Sequence, residues 1–163
     1  MIFSLQGTVQ ELTPTYAVIN VQGVGYYVGI SLMTSQMLVL NQQTFLFIQQ
    51  IIREDAHLLF GFNTRSEKEM FNLLISVNGV GAVSALILLS TLSLDEIASA
   101  ILSGNSALIQ KAKGIGAKTA ERIIVDLKGK VQKYSDPNAN ISVMVDNKIK
   151  EESLSALEVL GIP

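Results

Sequence analysis

The sequence predicts a multi-domain α+β chain: a small five-stranded barrel, then an all-helical segment, then a linker and the start of a further small helical unit. Three observations predict it. Runs of strand length rich in Val, Ile, Phe and Tyr fill residues 1–62. From Asn63 the apolar spacing becomes helical, with two Ser/Thr-x-x-Glu helix starts. Beyond about residue 133 the chain turns polar and aperiodic before one last amphipathic stretch.

The strand runs are "IFSLQGTVQEL", "YAVINVQ", "GYYVGIS", "TFLFIQQIIRED" and "AHLLFGF", punctuated by "TPT" and "QGVG". Five short strands in about 60 residues suit a small closed barrel, of which the OB-fold is a five-stranded example; this is the expected domain 1–63. Thr64-x-x-Glu67 is a capping box, so a helix is predicted over 65–77. A second follows Gly81 to about 90. Ser93-Leu94-Asp95-Glu96 is another box, with Gly104 as the stop. A short helix fits 106–112, and the last runs over 117–132 on the stripe Ala120, Ile123, Ile124, Leu127, Val131. Residues 64–133 thus form one helical domain. "YSDPNANISV" opens a linker over 134–147, and 148–163 begins a C-terminal helical domain with Leu154, Leu157 and Leu160 on its apolar face.

Composition narrows the classes. The 163 residues suffice for one ordinary domain or two small ones. With 48% apolar residues, some apolar surface is expected between subunits. No cysteine is present, which excludes disulfides and cysteine-based zinc sites. "MIFSLQG" has no basic n-region and too short an apolar run for a signal peptide. Residues 70–94 are apolar, but Asn72, Ser76, Asn78, Gly79 and Gly81 interrupt them, so no membrane span is expected. Net charge is −2, yet residues 108–133 hold seven basic residues against Glu121 and Asp126. Such a local basic strip suits an anionic partner, and equally a solvated helix face with pairs such as Arg122–Asp126.

A repeat sharpens this. "NGVGAVSALILL" (78–89) and "KGIGAKTAERII" (113–124) align at an offset of 35. Gly79, Val80, Gly81 and Ala82 match Gly114, Ile115, Gly116 and Ala117, and Ser84 matches Thr119. A dinucleotide fingerprint would need a third glycine where Ser84 and Thr119 stand, and a preceding strand. A Walker A loop would need glycine at 112 and 117 before Lys118-Thr119, and both are alanine. A helix-hairpin-helix fits both copies: the glycines make the turn, the central Val or Ile tucks between helices, and the free N–H groups of the second helix face outward. Such a terminus binds phosphate without reading sequence. Lys118 and Arg122 lie one turn apart on the same face. The bland alternative is a tight helix pair with purely structural glycines. No nucleophile–base set or metal cluster is present, so no catalytic residue, metal or cofactor is expected; His57 is the only histidine.

Taken in order, "VQGVGYYV", "REDAHLLFGF", "NGVGAVSALILLS" and "KGIGAKTAERIIVDLK" closely resemble the RuvA family of bacterial Holliday-junction binding proteins. The resemblance covers residues 1 to about 133. It implies an OB-fold domain, a tandem helix-hairpin-helix domain and a flexibly linked helical domain. It also implies a cytoplasmic homotetramer, open to octamer formation on DNA, that holds a four-way junction open and planar in recombination, repair and the SOS response. Its implied protein partners are the RuvB ring ATPase, reached through the C-terminal domain, and the RuvC resolvase. The implied DNA contacts are Gly79, Val80, Gly81 and Ala82 in one hairpin, and Gly114, Ile115, Gly116, Ala117, Lys118, Thr119 and Arg122 in the other. One departure stands out: the first hairpin has Ala82-Val83 where the family often places a basic residue, so it would hold phosphate through amides alone. Glu54 and Asp55 in "IREDAH" lie at a hairpin tip and would otherwise pass as a solvated turn; the resemblance makes them an acidic pin. The tail supplies one helix where about three are implied, so a longer parent protein is expected. The rivals are a helix-hairpin-helix nuclease or glycosylase-type repair enzyme, and a structural oligomer indifferent to DNA.

Overall fold

The computed structural model describes residues 1–132, and the expected linker and C-terminal helix lie outside the described residues. The strands are β1 (Ser4–Leu12), β2 (Tyr16–Val21), β3 (Val24–Ile30), β4 (Gln43–Ile52) and β5 (His57–Phe62). They close into a barrel in the order β1-β2-β3-β5-β4, as the sequence predicts. Only β3 and β5 pair in parallel; every other pair is antiparallel. β1 serves two neighbours: Ser4–Thr8 pair with β4 and Thr8–Leu12 with β2, with a register shift between Val9 and Glu11 that lets the strand bend. Alternate residues point inward, so Leu5, Val9, Ala17, Ile19, Val28, Leu46 and Ile48 fill the barrel.

One element was not legible in the sequence. Between β3 and β4 lies a six-residue helix, α1 (Leu32–Met37), capped by the Ser31 side chain on the N–H of Thr34. Six residues are too few to show a helical period, and "SLMTSQMLVL" carries no charge to set an exposed face. The predicted fourth strand also ends early, at Ile52, because Arg53–Ala56 form a turn.

The helices of the second half are α2 (Arg65–Ile75), α3 (Ala82–Thr91), α4 (Leu94–Ser103), α5 (Ser106–Ile109) and α6 (Ala117–Leu127). The last two are shorter than predicted. α6 ends at Leu127, where Lys130 N–H turns back to the Leu127 carbonyl, yet Val131 remains fully buried. α2 stops at Ile75 because Val77 N–H bonds to Leu74 O and begins the first hairpin turn. Ser93 and Glu96 form the predicted capping box, and Gly104 ends α4 in the left-handed conformation. The box at Thr64 is only half formed. Thr64 Oγ1 accepts the Glu67 N–H at 3.1 Å, but the Glu67 side chain does not return; it is buried and turned towards α1. Among the described residues no single helix is long and apolar enough to cross a membrane, and α3 and α4 meet at a 101° bend.

The barrel and the helices share a seam. β5 ends in Phe60 and Phe62, whose rings lie 5.3 and 4.9 Å from Phe71 of α2 and belong to the helical core. Lys68, one residue after Glu67, lays its ammonium 3.7 Å from the ring centre of Phe3. Burial, with Arg65 nearby, lowers the Lys68 pKa from its ordinary value. Phe71 is fully buried and touches both bodies, so Phe71→Ala should cost about 3–5 kcal/mol. Urea unfolding monitored by far-UV circular dichroism checks this; a loss under about 1 kcal/mol would show that the seam closes over the cavity.

Candidate nucleic-acid interface

The two GxG turns are built alike, almost angle for angle. Gly79 has φ +94° and Gly114 has φ +92°, a left-handed backbone that a Cβ disfavours. Gly81 and Gly116 follow as helix caps with φ −90° and −87°, ordinary values for any residue. Val80 N–H returns to Val77 O at 3.1 Å, and Ile115 N–H to Ala112 O at 3.2 Å. Val80 and Ile115 are both buried, so the middle residue of each turn anchors it in the core.

What distinguishes α3 and α6 from the other four described helices is how they begin. Ser31, Thr64, Ser93 and Asn105 each place a side-chain oxygen on a first-turn N–H of α1, α2, α4 and α5. Gly81 and Gly116 have no side chain to do so, and neither α3 nor α6 carries a side-chain cap. Their first-turn amides and the positive end of each helix dipole are thus left open to a ligand oxygen. A Cβ built on Gly81 or Gly116 would meet nothing within 4 Å. The two starts are neighbours: a Cβ on Gly79 would lie 3.9 Å from Thr119 Oγ1. The structure therefore places the first turn against the start of α6.

The charges are unequal. Lys118, Glu121, Arg122, Val125 and Asp126 line a shallow exposed groove along α6. Arg122 Nε lies 3.6 Å from Asp126 Oδ2, the pair that the bland sequence reading named; both side chains are substantially exposed, so the pair contributes little and leaves Arg122 available. Lys111 and Lys113, just before the second turn, are exposed as well. At α3 the corresponding surface holds Ala82, which is buried, and Val83, which is 68% exposed. Glu54 and Asp55 lie on the barrel, at the tip of the β4–β5 hairpin. The last pair is Ile52 with His57, and Arg53 N–H closes the turn on Ala56 O at 2.7 Å. Both carboxylates are exposed. Among the described residues no three His, Asp or Glu side chains are placed to hold a metal ion.

Comparison with known proteins agrees with this layout. Residues 1–61 match the model of the RuvA N terminal domain, and residues 71–129 match that of the SAM-like helix-hairpin-helix tandem. A protein of Flavobacterium psychrophilum is 50% identical over 161 residues, covering 99% of this chain and 83% of its own length. One of Christiangramia forsetii is 47% identical over the same span, and one of Porphyromonas gingivalis is 43% identical over 169 residues. All three bear the name Holliday junction branch migration complex subunit RuvA. This chain belongs to the RuvA family. The expected α+β organisation, with an OB-like closed barrel followed by a helix-hairpin-helix domain, is that of its described residues.

The turn geometry separates the two glycine types. Gly79→Ala or Gly114→Ala should cost about 1–2 kcal/mol of stability through the left-handed backbone. Gly81→Ala or Gly116→Ala should cost less, about 0.5–1 kcal/mol, because alanine is only a poorer N-cap there. Thermal unfolding of the four single variants checks the split, and equal losses at all four would refute it.

Proposed function

We propose that this chain is the DNA-holding, non-catalytic subunit of a branch-migration machine, and that it recognises four-way junctions by their shape. The observation that carries the reading is the pair of uncapped helix starts, at Gly81 and Gly116, brought close by the contact of Gly79 with Thr119, one of them followed by Lys118 and Arg122. Backbone amides at 79–83 and 114–118 hold phosphate oxygens of the junction arms, and this contact reads no base. Lys118 adds charge in the first turn of α6, and Arg122 extends it one turn on. The first hairpin holds its phosphate with amides alone, so the second carries most of the salt dependence.

Glu54 and Asp55 supply the opposite sign. Two adjacent carboxylates on an exposed turn repel phosphate, and four subunits would gather eight of them where strands exchange. The arms stay bound while continuous duplex is rejected, which is discrimination by an introduced repulsion. The apolar surface left exposed at Met37, Val39, Leu40 and Phe45 supports subunit contacts of the kind a tetramer needs. The relatives' shared name, branch migration complex subunit, supports a motor partner, the RuvB ring ATPase, because Ala112 and Ala117 occupy the glycine positions of a Walker A loop here. Residues 1–63 are assigned the pin, and 64–133 the phosphate contacts.

One gel comparison tests the reading: a four-way junction against duplex of equal length, with and without magnesium. Preferential junction binding without cutting is expected. Magnesium-dependent cleavage would favour the helix-hairpin-helix nuclease, and indifference to DNA would favour a structural oligomer. Lys118→Ala and Arg122→Ala should each weaken binding alike for all arm sequences and reduce the salt slope by roughly one per lost phosphate contact. Titrations at several salt concentrations measure this, and an unchanged slope in both variants contradicts the assignment. Glu54→Gln combined with Asp55→Asn should strengthen duplex binding and so lower the junction-to-duplex ratio. Competition between the two DNAs reads the ratio, and a ratio equal to the parent's removes the pin from the mechanism.

A further inference from the structure

Glu67 is a buried carboxylate that the hairpins do not use. It stands in the first turn of α2 yet is only 7% exposed, and Ser31 and Thr34 facing it are fully buried. Glu96 shows the usual behaviour at this helix position: it returns to the N–H of its own cap, Ser93, at 2.9 Å. Glu67 turns away from Thr64 and receives one hydroxyl on each oxygen, Ser31 Oγ on Oε2 and Thr34 Oγ1 on Oε1, the latter at 2.6 Å.

Both hydroxyls donate to Glu67 while each accepts a backbone N–H. Ser31 Oγ already accepts the Thr34 N–H at 3.1 Å, and Thr34 Oγ1 accepts the Asn63 N–H at 3.1 Å. Each hydroxyl has a single proton left to donate, and Glu67 is its acceptor. No buried side-chain polar atom among the described residues lacks a partner. It ties together α1 of the barrel, the connecting residue Asn63, and α2 of the helical body. The neighbouring contact of Phe71 with Phe60 and Phe62 is apolar and non-directional. Two charge-assisted hydrogen bonds are directional, and they select one orientation among those the apolar contact allows.

That orientation matters because the two halves of the proposed site sit on different bodies. The acidic turn belongs to the barrel, whereas α3 and α6 belong to the helical body. We propose that Glu67 is a positioning residue for DNA-shape selectivity: by receiving both α1 hydroxyls it locks the helical body onto the barrel and so sets the spacing between the acidic turn and the phosphate-holding helix starts. This inference rests on the junction-binding reading above.

Glu67→Gln leaves one hydroxyl proton without an acceptor. A triple variant, Ser31→Ala with Thr34→Val and Glu67→Met, removes all three side chains of the network; the N–H groups of residues 34 and 63 lose their acceptors, so its thermal transition is expected to fall while remaining a single cooperative step. Each is compared with the parent for junction binding, duplex binding and thermal transition. The triple variant should keep the parent's duplex affinity and cooperative melting, while its junction-to-duplex ratio falls by about tenfold, ~1.4 kcal/mol. A second readout needs no DNA. The chain has no cysteine, so spin labels on Gln42→Cys in the barrel and Ala107→Cys in α5 report the distance between the bodies in labelled chain diluted with unlabelled. A narrow distribution in the parent should broaden or shift in the triple variant, and to a lesser degree in Glu67→Gln. Parental distances in both variants, or a parental ratio in both, would overturn the positioning role. A parent chain with no preference for junctions overturns the junction reading instead, and the selectivity role with it.

Discussion

The seam between β5 and α2 governs what this chain can do. It combines two kinds of force. Phe60, Phe62 and Phe71 supply apolar contact at ring distances of 4.9 and 5.3 Å, which holds the bodies together without fixing an angle. Glu67 and Lys68 then add contacts that work in one geometry only, a carboxylate between two hydroxyls and an ammonium over Phe3. Buried groups of this sort penalise misalignment more than they reward alignment, because an unpaired buried donor or acceptor loses its full solvation. The barrel is thereby more than a neighbour of the helices: it presents the Glu54–Asp55 turn in a fixed relation to α3 and α6.

The hairpins show which features of a duplicated unit persist. Backbone angles, the return hydrogen bond and the buried middle residue are the same in both copies. Side chains above the helix start are not: Lys118 and Arg122 flank one, Ala82 and Val83 the other. That divergence fits a site whose basic contact is made by amides, since only the backbone has to be conserved in shape for both copies to work. Charge then tunes one copy. The whole chain carries a net charge of −2, so the basic residues of 108–133 form a local strip on a mildly acidic chain. In the proposed reading, repulsion from an exposed acidic turn is screened beyond about 10 Å at 0.1 M salt, so the turn discriminates only among DNAs already held by the hairpins.

Much of this was legible in the residues alone. The barrel strands, the capped start of α4 with its Gly104 stop, the buried Val80 and Ile115, and the paired GxG turns all follow from local chemistry: β-branched and aromatic alternation, a serine followed by a glutamate, and glycines flanking an apolar residue. The Arg122–Asp126 pair follows from helical spacing. Helix α1 was not legible, because six residues show no period. The far ends of α5 and α6 were overestimated, because Ala112 and Val131 stay buried outside helices and so mimic a continuing stripe.

The sequence by itself determined which residues could open a helix to an anion, because glycine leaves the first-turn amides uncovered and a neighbouring lysine or arginine supplies charge within one turn. The tertiary structure decided that the two openings are neighbours, with Gly79 beside Thr119. It also decided the fate of Glu67. The local pattern Thr64-x-x-Glu67 assigned that carboxylate to its own helix start, where it would be exposed and worth about as much as any cap. Closure of the barrel placed Ser31 and Thr34 opposite it with two protons to donate, and for a buried carboxylate two hydroxyl donors outcompete one exposed backbone N–H that water can satisfy.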